Sequence, residues 1–353
     1  MTLRQFAEQP PNIPAATSWY LADVAQALGK QELFTKQAPQ KLKALREHAL
    51  VESAISSNRI EGVEVDPKRV ATIVFGKALP RDRDEEEVRG YRKALDLIHP
   101  QAATLPVSED TIRQLHSLSR GGLGDAGQYK QTESDIIEVH PGGRREIRFR
   151  TVSAAKTAAF MADLIKYWRE IQNRRAVHPL IALGAFNLDF LCIHPFRDGN
   201  GRVSRLLFLL QCCQAGLQVG RYISLERLIE HNKERYYETL KLSSQGWHEG
   251  KHNPWHYVNF LLYTLIDAYK ELERRVGETA SPKGAKSELV LQAVRSQSGE
   301  FRLADIERAC PGVGRDWIRV LLADLKRKGE LTSRDRGPAA RWQLVRNKGS
   351  TPK

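Results

Sequence analysis

The residue types best suited to chemistry are concentrated in one stretch, HPFRDGNGRVSR, which runs from His194 to Arg205. Its imidazole can accept a proton near neutral pH, the carboxylate of Asp198 suits Mg²⁺, and the guanidinium groups of Arg202 and Arg205 can hold phosphate oxygens. Together these groups indicate a site for phosphoryl-type transfer, in which alignment and charge neutralisation matter more than covalent catalysis.

Two helices must position this stretch. Residues 179–193 are apolar almost all round, which predicts a central buried helix, and Pro195 prevents that helix from continuing through His194. Apolar residues at three- and four-residue spacing from Val203 onward predict a second helix. The glycines on either side of Asn200 let backbone N–H groups turn inward where the second helix begins, and such a junction binds anions.

Composition sets wider bounds on the class of protein. The chain has 353 residues, a formal charge of +13 and no apolar run of about 18 residues that could span a membrane. No secretory signal is visible, so we expect a cytoplasmic protein. The four cysteines lack the spacing of a zinc site or a disulfide framework. Residues 281–353 contain 16 basic and 8 acidic residues, so about a fifth of the chain carries a net charge of +8.

The predicted fold class is mainly α: a helical core with one β-hairpin and a small C-terminal winged helix-turn-helix domain. Segments without Gly or Pro that carry apolar residues at helical spacing predict the helices, whereas β-forming residues around Pro141-Gly142-Gly143 predict the hairpin. Small and breaker residues after residue 275 predict a linker. The domains are an N-terminal region with a helix at about 41–61, a core, the linker and the winged domain, at residues 1–80, 81–275, 276–286 and 287–346.

The third helix predicted in the C-terminal domain, residues 315–328, is amphipathic. Its basic residues, with those of a wing-like segment, are suited to the phosphates of a DNA duplex, and protein contacts or dimerisation are the alternative. The predicted buried side comprises Trp317, Ile318, Leu321, Leu322 and Leu325. The basic residues are Arg315, Arg319, Lys326 and Arg327 in the helix, and Arg334, Arg336 and Arg341 in the wing.

The stretch from His194 to Arg205 resembles the signature of the Fic family: His, any residue, Phe, any residue, Asp or Glu, Gly-Asn-Gly-Arg, two residues, Arg. Every specified position matches. The resemblance implies a protein adenylyltransferase in which His194 is the general base for a target Ser, Thr or Tyr hydroxyl. That hydroxyl attacks the α-phosphate of ATP and displaces pyrophosphate. The other implied residues are a Mg²⁺ ligand, an anion hole and two phosphate-binding arginines: Asp198; Gly199, Asn200 and Gly201; Arg202 and Arg205.

Two further segments resemble parts of this family. Asn232, Tyr236 and Tyr237 are similar to the segment that lines the adenine pocket, with plain helix packing as the alternative for the tyrosines. The predicted hairpin has the place of the family's flap, on which a target segment docks by adding a strand. Ile147 and Phe149 are therefore predicted docking residues. The usual pair of flap prolines is absent, which leaves the choice of substrate open.

The segment from Ser57 to Gly62, SNRIEG, resembles the family's inhibitory motif of Ser or Thr, three residues, Glu, and then Gly or Asn. In autoinhibited relatives the glutamate pairs with the second arginine of the signature and obstructs the γ-phosphate, which implies that Glu61 pairs with Arg205. A glutamate in the last turn of a helix also faces the negative end of the helix dipole, at a cost of about 0.3–1 kcal/mol that a basic partner would offset. An exposed glutamate facing water is the alternative.

The leading prediction is a Mg²⁺-dependent protein adenylyltransferase that uses ATP, modifies a target protein or itself, and is held inactive by Glu61. The same residues also fit a hydrolase in which Glu61 positions a water that removes AMP from a modified target. A third hypothesis is a DNA-binding transcriptional regulator whose Fic core senses a nucleotide, although the intact signature argues against an inactive core. The predicted partners are ATP, a target protein, DNA through the C-terminal domain and a second copy of the chain.

Overall fold

The computed structural model describes residues 1–37, 39–76, 78–122, 124–139, 142–277, 285–295, 297, 299–310, 313–334 and 340–345. The chain divides into two compact units, Met1–Val276 and Gly277–Lys353. Most of the predicted linker, 276–286, lies outside the described residues. The N-terminal region and the core, which the sequence separates at residue 80, belong to the same unit.

The first unit is mainly helical, as the sequence predicts. A large continuous apolar core runs through it, from the N-terminal helix to the last long helix. In chain order its elements are α1 Thr2–Glu8, α2 Ala15–Gln37, α3 Pro39–Ile60, α4 Pro67–Val74, α5 Arg83–Gln101, α6 Glu109–Ser119, β1 Ile136–Val139, β2 Arg145–Phe149, α7 Ala154–Arg174, α8 Pro179–Ile193, α9 Asn200–Gln214, α10 Leu225–His231, α11 Lys233–Ser244 and α12 Trp255–Gly277.

Helix α8 forms the centre of this unit. Pro179 opens it, His178 caps it by accepting from Leu180 N at 3.2 Å, and every residue from Leu180 to Ile193 is buried. It packs against α1, α7, α9 and α11. A helix that is apolar all round needs neighbours on all sides, which explains its central place.

Helix α9 follows α8 after a short loop and is equally buried. Gly199 precedes it with a φ of 83°, a left-handed conformation that favours glycine. The helix contacts α3, α5, α6 and α8, so its first turn is enclosed by elements from distant parts of the chain. The loop between α8 and α9 is therefore held in place at both ends.

Helices α3 and α5 bring further residues to the start of α9. The first turn of α5 carries Asp84, Glu85 and Glu86, and the side chain of Asp82 caps the helix by accepting from Glu85 N at 2.9 Å. Helix α3 extends slightly further back than the predicted 41–61 and ends at Ile60, so Glu61 immediately follows its last residue. The motif predicted to be inhibitory is thus at the C-terminal end of a packed helix.

Two N-terminal helices were not predicted. Helix α1 is anchored by the buried carboxylate of Asp189, which accepts from Thr2 N at 2.7 Å and from Leu3 N at 2.8 Å. Helix α2 forms after three prolines and buries Val24, while Thr17 donates to Asn259 at 2.7 Å. The residues that stabilise these two helices are more than 180 positions away along the chain, so the local, proline-rich sequence does not reveal them.

The hairpin has the predicted position but an irregular register. Ile137 pairs with Ile147, whereas Ile136 pairs with Phe149, so the register shifts between the two pairs. Strand β2 consequently carries one residue more than β1 at this point, and that residue is Arg148. Such a β-bulge redirects a side chain and is common beside functional sites.

The second unit contains the three helices predicted for the C-terminal domain. Its elements are α13 Ala285–Arg295, β3 Phe301–Arg302, α14 Leu303–Ala309, α15 Arg315–Arg327, β4 Leu331–Arg334 and β5 Arg341–Leu344, of which β3 was not predicted. The strands form an antiparallel sheet in the order β3-β5-β4. The predicted wing residue Arg336 lies outside the described residues.

One prediction for α15 is wrong. Ile318, Leu322 and Leu325 are buried in the core of the second unit, but Trp317 is 47% exposed. Each helical residue is rotated by about 100° from its neighbour, so Trp317 falls outside the stripe that the other three define.

Among the helices of the described residues, none has the length and apolar character needed to cross a membrane.

Candidate active site

His194 ends helix α8 in a left-handed conformation with a φ of 54°. Its backbone N–H donates to Phe190 O at 2.9 Å, and its Nδ1 is 3.3 Å from Leu191 O. A carbonyl can only accept, so the proton of the neutral ring is on Nδ1 and the lone pair is on Nε2. Burial, followed by the positive charge of Lys130, lowers the pKa of His194 to about 4, which keeps the imidazole neutral at physiological pH.

Asn200 holds the loop in shape. Its side chain accepts from Phe196 N at 2.9 Å and donates to Phe196 O at 2.7 Å. Phe196 is fully buried and stacks on His116 with ring centroids 3.7 Å apart. The amide side chain of Asn200 is therefore used within the loop, which leaves the backbone N–H groups of Asn200 and Gly201 for an anion.

Asp198 lies among three guanidinium groups. One carboxylate oxygen is 2.7 Å from Arg83 and 2.6 Å from Arg120, and the other is 3.5 Å from Arg202 and accepts from Gly199 N at 2.6 Å. Burial acts to raise the pKa of Asp198, but Arg202 and Arg120 outweigh it, so the pKa lies below its ordinary value. Asp198 is ionised at neutral pH.

Behind Asp198, the buried carboxylate of Glu87 binds the same arginines. Only 1% of its side chain is exposed, and it accepts from Arg202 at 2.5 Å, Arg120 at 2.7 Å and Arg83 at 3.0 Å. Arg202 also donates to Asn58 at 3.2 Å. The first arginine of the signature is thus fully buried in an ion-pair network.

The second arginine of the signature binds the end of α3. The side chain of Arg205 is 2% exposed; its Nε donates to Ser57 Oγ at 2.9 Å, and its Nη2 donates to Ser57 O at 2.9 Å and to Glu61 Oε1 at 2.8 Å. Its Nη1 is buried without a hydrogen bond. Gly62, the last residue of the motif, has a φ of 83° and turns the chain away after Glu61.

Glu61 also lies against the first turn of α9. A Cβ atom built on Gly201 would be 2.2 Å from Glu61 Oε1 and 3.2 Å from Arg205 Nη1. Any side chain at this position would clash with the carboxylate. The Glu61 carboxylate therefore lies against the N-terminus of α9, a position that favours anions.

A cavity of 820 Å³ opens beside these groups. Of the predicted site residues, His194, Gly201, Glu61, Tyr236, Tyr237 and Phe149 line it. Nine predicted site residues are not in its lining: Ser57, Gly62, Ile147, Asp198, Gly199, Asn200, Arg202, Arg205 and Asn232. The amide of Asn232 donates to Leu228 O at 3.0 Å. Ile147, also predicted to dock a target, is 47% exposed on β2.

The two tyrosines differ in environment. Tyr236 is buried in a cluster with Tyr257 and Phe260, whose ring centroids lie 6.1 Å and 5.7 Å from its own. Tyr237 is half-buried, and its hydroxyl donates to Ile60 O at 3.4 Å. Tyr236 therefore packs in the core with one edge at the cavity, whereas Tyr237 connects the cavity wall to the end of α3.

Several site residues escape sequence reasoning. In the sequence, Glu87 is one of several consecutive acidic residues, and nothing distinguishes it from its neighbours. No motif contains Arg120 or His116. No sequence pattern pointed to Lys130 either. It is buried, and its Nζ donates to Thr151 Oγ1 at 2.7 Å and lies 3.4 Å from Ile193 O. Burial lowers the pKa of Lys130 to about 8. Lys130 connects Thr151, just after β2, to Ile193 at the end of α8.

The predicted Mg²⁺ ligand Asp198 is paired with three guanidinium groups, so a metal ion would bind it only together with the phosphates of a nucleotide. Mg²⁺ in such sites is commonly held by one or two carboxylates together with phosphate oxygens and water. The side chain of Asp198 is 45% exposed, which leaves it accessible. No group of three or more His, Cys, Asp or Glu side chains in the described part of the chain is arranged to hold a metal. Asp198 would therefore supply one ligand and the nucleotide would supply others.

Fold and site define a mainly helical protein in which a histidine and the glycine-rich start of a helix line one cavity. Residues 106–212, which contain the hairpin and the whole signature, match the Fic/DOC family model. The chain thus contains a Fic/DOC domain, and the resemblance seen in its signature is confirmed.

Curated relatives and solved structures agree with this identification. Protein adenylyltransferase Fic of Drosophila virilis is 23% identical over 242 residues, which is 64% of this chain and 46% of the relative. Its counterpart in Drosophila grimshawi is 25% identical over 173 residues, 49% of this chain and 32% of the relative. The chain therefore spans less than half the length of these two relatives.

Among solved structures, a Fic family protein from Desulfovibrio desulfuricans G20 has a TM-score of 0.60 and 25% identity, and the match covers 97% of this chain and 99% of the other. Fic-1 (residues 134–508) from C. elegans has a TM-score of 0.56 and 18% identity, with coverage of 79% and 81%. The overall fold is accordingly that of Fic proteins.

Proposed function

We propose that the chain is a protein adenylyltransferase that transfers AMP from ATP to a hydroxyl of a target protein or of itself, and that Glu61 inhibits it. The observation that carries this proposal is the Glu61 carboxylate at the start of α9, paired with Arg205 at 2.8 Å and in contact with Gly201. A carboxylate at this position marks a site built for anions.

The chemistry assigned to each residue follows from its position. His194 has its Nε2 lone pair free and a lowered pKa, so it accepts the proton of an entering hydroxyl. The backbone N–H groups of Asn200 and Gly201 bind phosphate oxygens. Arg205 holds the phosphate chain after Glu61 has left it. A Mg²⁺ ion bound at Asp198 would neutralise phosphate charge.

The inhibitory role of Glu61 follows from competition for one place. Glu61 and a nucleotide phosphate cannot both occupy the first turn of α9, because the carboxylate already contacts Gly201. Ser57 is on the same helix and also binds Arg205, so the inhibited state holds this arginine by three hydrogen bonds. Displacing Glu61 leaves the two bonds to Ser57 in place and frees one side of the guanidinium group.

The test uses ATP labelled at either the α- or the γ-phosphate, with Mg²⁺, and compares wild type, Glu61→Gly, and Glu61→Gly combined with His194→Ala. Adenylylation predicts α-label on protein, strongest in Glu61→Gly and absent without His194. Label from the γ-phosphate would identify a kinase-type reaction, and the absence of both labels from the chain and from lysate proteins would contradict the proposal.

One observation favours hydrolysis as a second candidate. Glu61 and His194 line the same cavity, so a water placed between them could attack an AMP group on a modified protein. Release of AMP from an adenylylated protein by wild type, and its loss in Glu61→Gly, would support this reaction over transfer.

A DNA-binding role for the second unit has weaker support. On α15, Arg319 lies 3.2 Å from Asp316, and Lys326 donates to Ser333 at 2.6 Å, so part of the predicted basic face is engaged within the unit. Arg315 is also 3.7 Å from Glu307. A salt-dependent shift of duplex DNA by the full chain, reduced in Arg319→Ala, tests this role.

A further inference from the structure

The charged side chains that line the cavity are mostly acidic. The described lining carries four carboxylates, Glu61, Glu138, Glu234 and Glu238, but only two cations, Arg148 and Lys241. Lys241 is 2.9 Å from Glu138 and is neutralised by it. Because Lys241 is paired with Glu138, Arg148 is the cation of the described lining that remains to offset the charge of an entering nucleotide.

In the described part of the chain, the guanidinium group of Arg148 has no hydrogen bond or ion pair. Its Nε is buried without an acceptor. Its only close ring is that of Tyr237, whose centroid is 5.8 Å from the guanidinium carbon. A buried donor left without an acceptor costs about 1–3 kcal/mol, so this group is suited to a ligand that supplies one.

The backbone directs this side chain into the cavity. Arg148 is the extra residue of the β-bulge, opposite the step between Ile136 and Ile137 on β1. In a regular ladder, side chains alternate strictly between the two faces, and the bulge interrupts that alternation at Arg148. As a result both Arg148 and its neighbour Phe149 line the cavity.

We propose that Arg148 binds a phosphate oxygen of the nucleotide, facing Arg205 across the phosphate chain. The inference rests on the proposed function and adds a phosphate contact from the flap. The positive charge of Arg148 also acts on His194, which is consistent with a position beside the reacting phosphate. A planar guanidinium matches phosphate oxygens in a two-pronged geometry that lysine cannot reproduce.

The test measures binding by calorimetry in the Glu61→Gly background, with ATP and Mg²⁺ as one probe and adenosine as the other. Arg148→Ala should weaken ATP binding about 10- to 100-fold. The ATP affinity of Arg148→Lys should lie between those of Arg148 and Arg148→Ala, because lysine keeps the charge but lacks the two-pronged guanidinium geometry. Adenosine affinity should not change. Arg145→Ala is the matched control, since Arg145 is exposed on the same strand and outside the cavity lining.

Each other outcome overturns the assignment. Equal ATP affinity with a raised KM for the protein target in Arg148→Ala would place the arginine against an acidic group of the target. Equal loss of ATP and adenosine affinity would indicate a structural effect, which the thermal midpoint of Arg148→Gln would show independently. Failure of Glu61→Gly itself to bind ATP would refute the proposed function, whereas loss of the Arg148 effect alone would leave it standing.

Discussion

Replacing Glu61 with glutamine and with glycine should raise nucleotide transfer in two distinct steps. Glutamine keeps the shape and an acceptor oxygen for Arg205 Nη2, now 2.8 Å from Glu61 Oε1, but removes the charge. Glycine removes both. Because Arg205 is 2% exposed, solvent screens the pair little, and the charge should contribute a large part of its strength.

The expected sizes follow from typical hydrogen-bond free energies. A bond to a charged group contributes about 1.5–3 kcal/mol and a neutral one about 0.5–1.5 kcal/mol, so glutamine should weaken the pair by about 1–1.5 kcal/mol. At ATP concentrations below KM this corresponds to a rate about 5- to 13-fold above wild type. Glycine should give an increase of about 13- to 160-fold.

The assay is initial transfer of α-label from ATP at low nucleotide concentration, with Glu64→Gln as the control because Glu64 is exposed and has no hydrogen bond to Arg205. Rates for glutamine equal to wild type would show that shape alone maintains inhibition. Rates for glutamine equal to glycine would show that the neutral hydrogen bond contributes nothing. No increase in either variant would refute the competition between Glu61 and phosphate.

Three further predictions concern other parts of the site. Because the pKa of His194 is lowered to about 4, the rate of transfer by Glu61→Gly should stay constant from pH 7 to pH 6 and fall only as the pH drops toward 4. A rate-pH profile with a midpoint near 6.5 would contradict a buried, neutral imidazole. Glu87→Gln leaves three arginines with one fewer counter-ion and should lower the free energy of unfolding by about 3–5 kcal/mol in urea titrations; a change below 1 kcal/mol would show that Asp198 alone suffices. Asn200→Ala removes both bonds to Phe196 and should cost about 1–3 kcal/mol and weaken ATP binding in calorimetry, whereas unchanged ATP affinity would show that the loop keeps its shape without them.

The parts of the fold that sequence alone could predict are those with a local cause. Apolar residues on all sides predicted helix α8, and Pro195 predicted where it ends. The hairpin was visible from the turn residues between its strands. Helix α2 was not predicted, because its stability comes from packing against residues such as Asn259 that are far away in sequence.

The candidate site shows the same division. His194, Asp198 and Arg205 could be assigned from their spacing, since a short loop between two helices keeps neighbours in sequence close in space. Glu87 could not, because its bond to Arg202 joins residues 115 positions apart. The orientation of Arg148 depends on a register shift between two strands, and a single sequence does not encode that shift in any recognisable pattern.

The proposed inhibitor Glu61 is part of the chain on which it acts, and this determines how inhibition responds to concentration. An inhibitor that diffuses is lost on dilution, whereas a tethered group competes at an effective concentration in the millimolar range, fixed by geometry. Helix α3 holds Glu61 one turn from Ser57, which binds the same arginine, so dilution leaves the competition unchanged. A nucleotide at micromolar concentration would rarely displace the glutamate, so release requires either a higher nucleotide concentration or movement of α3.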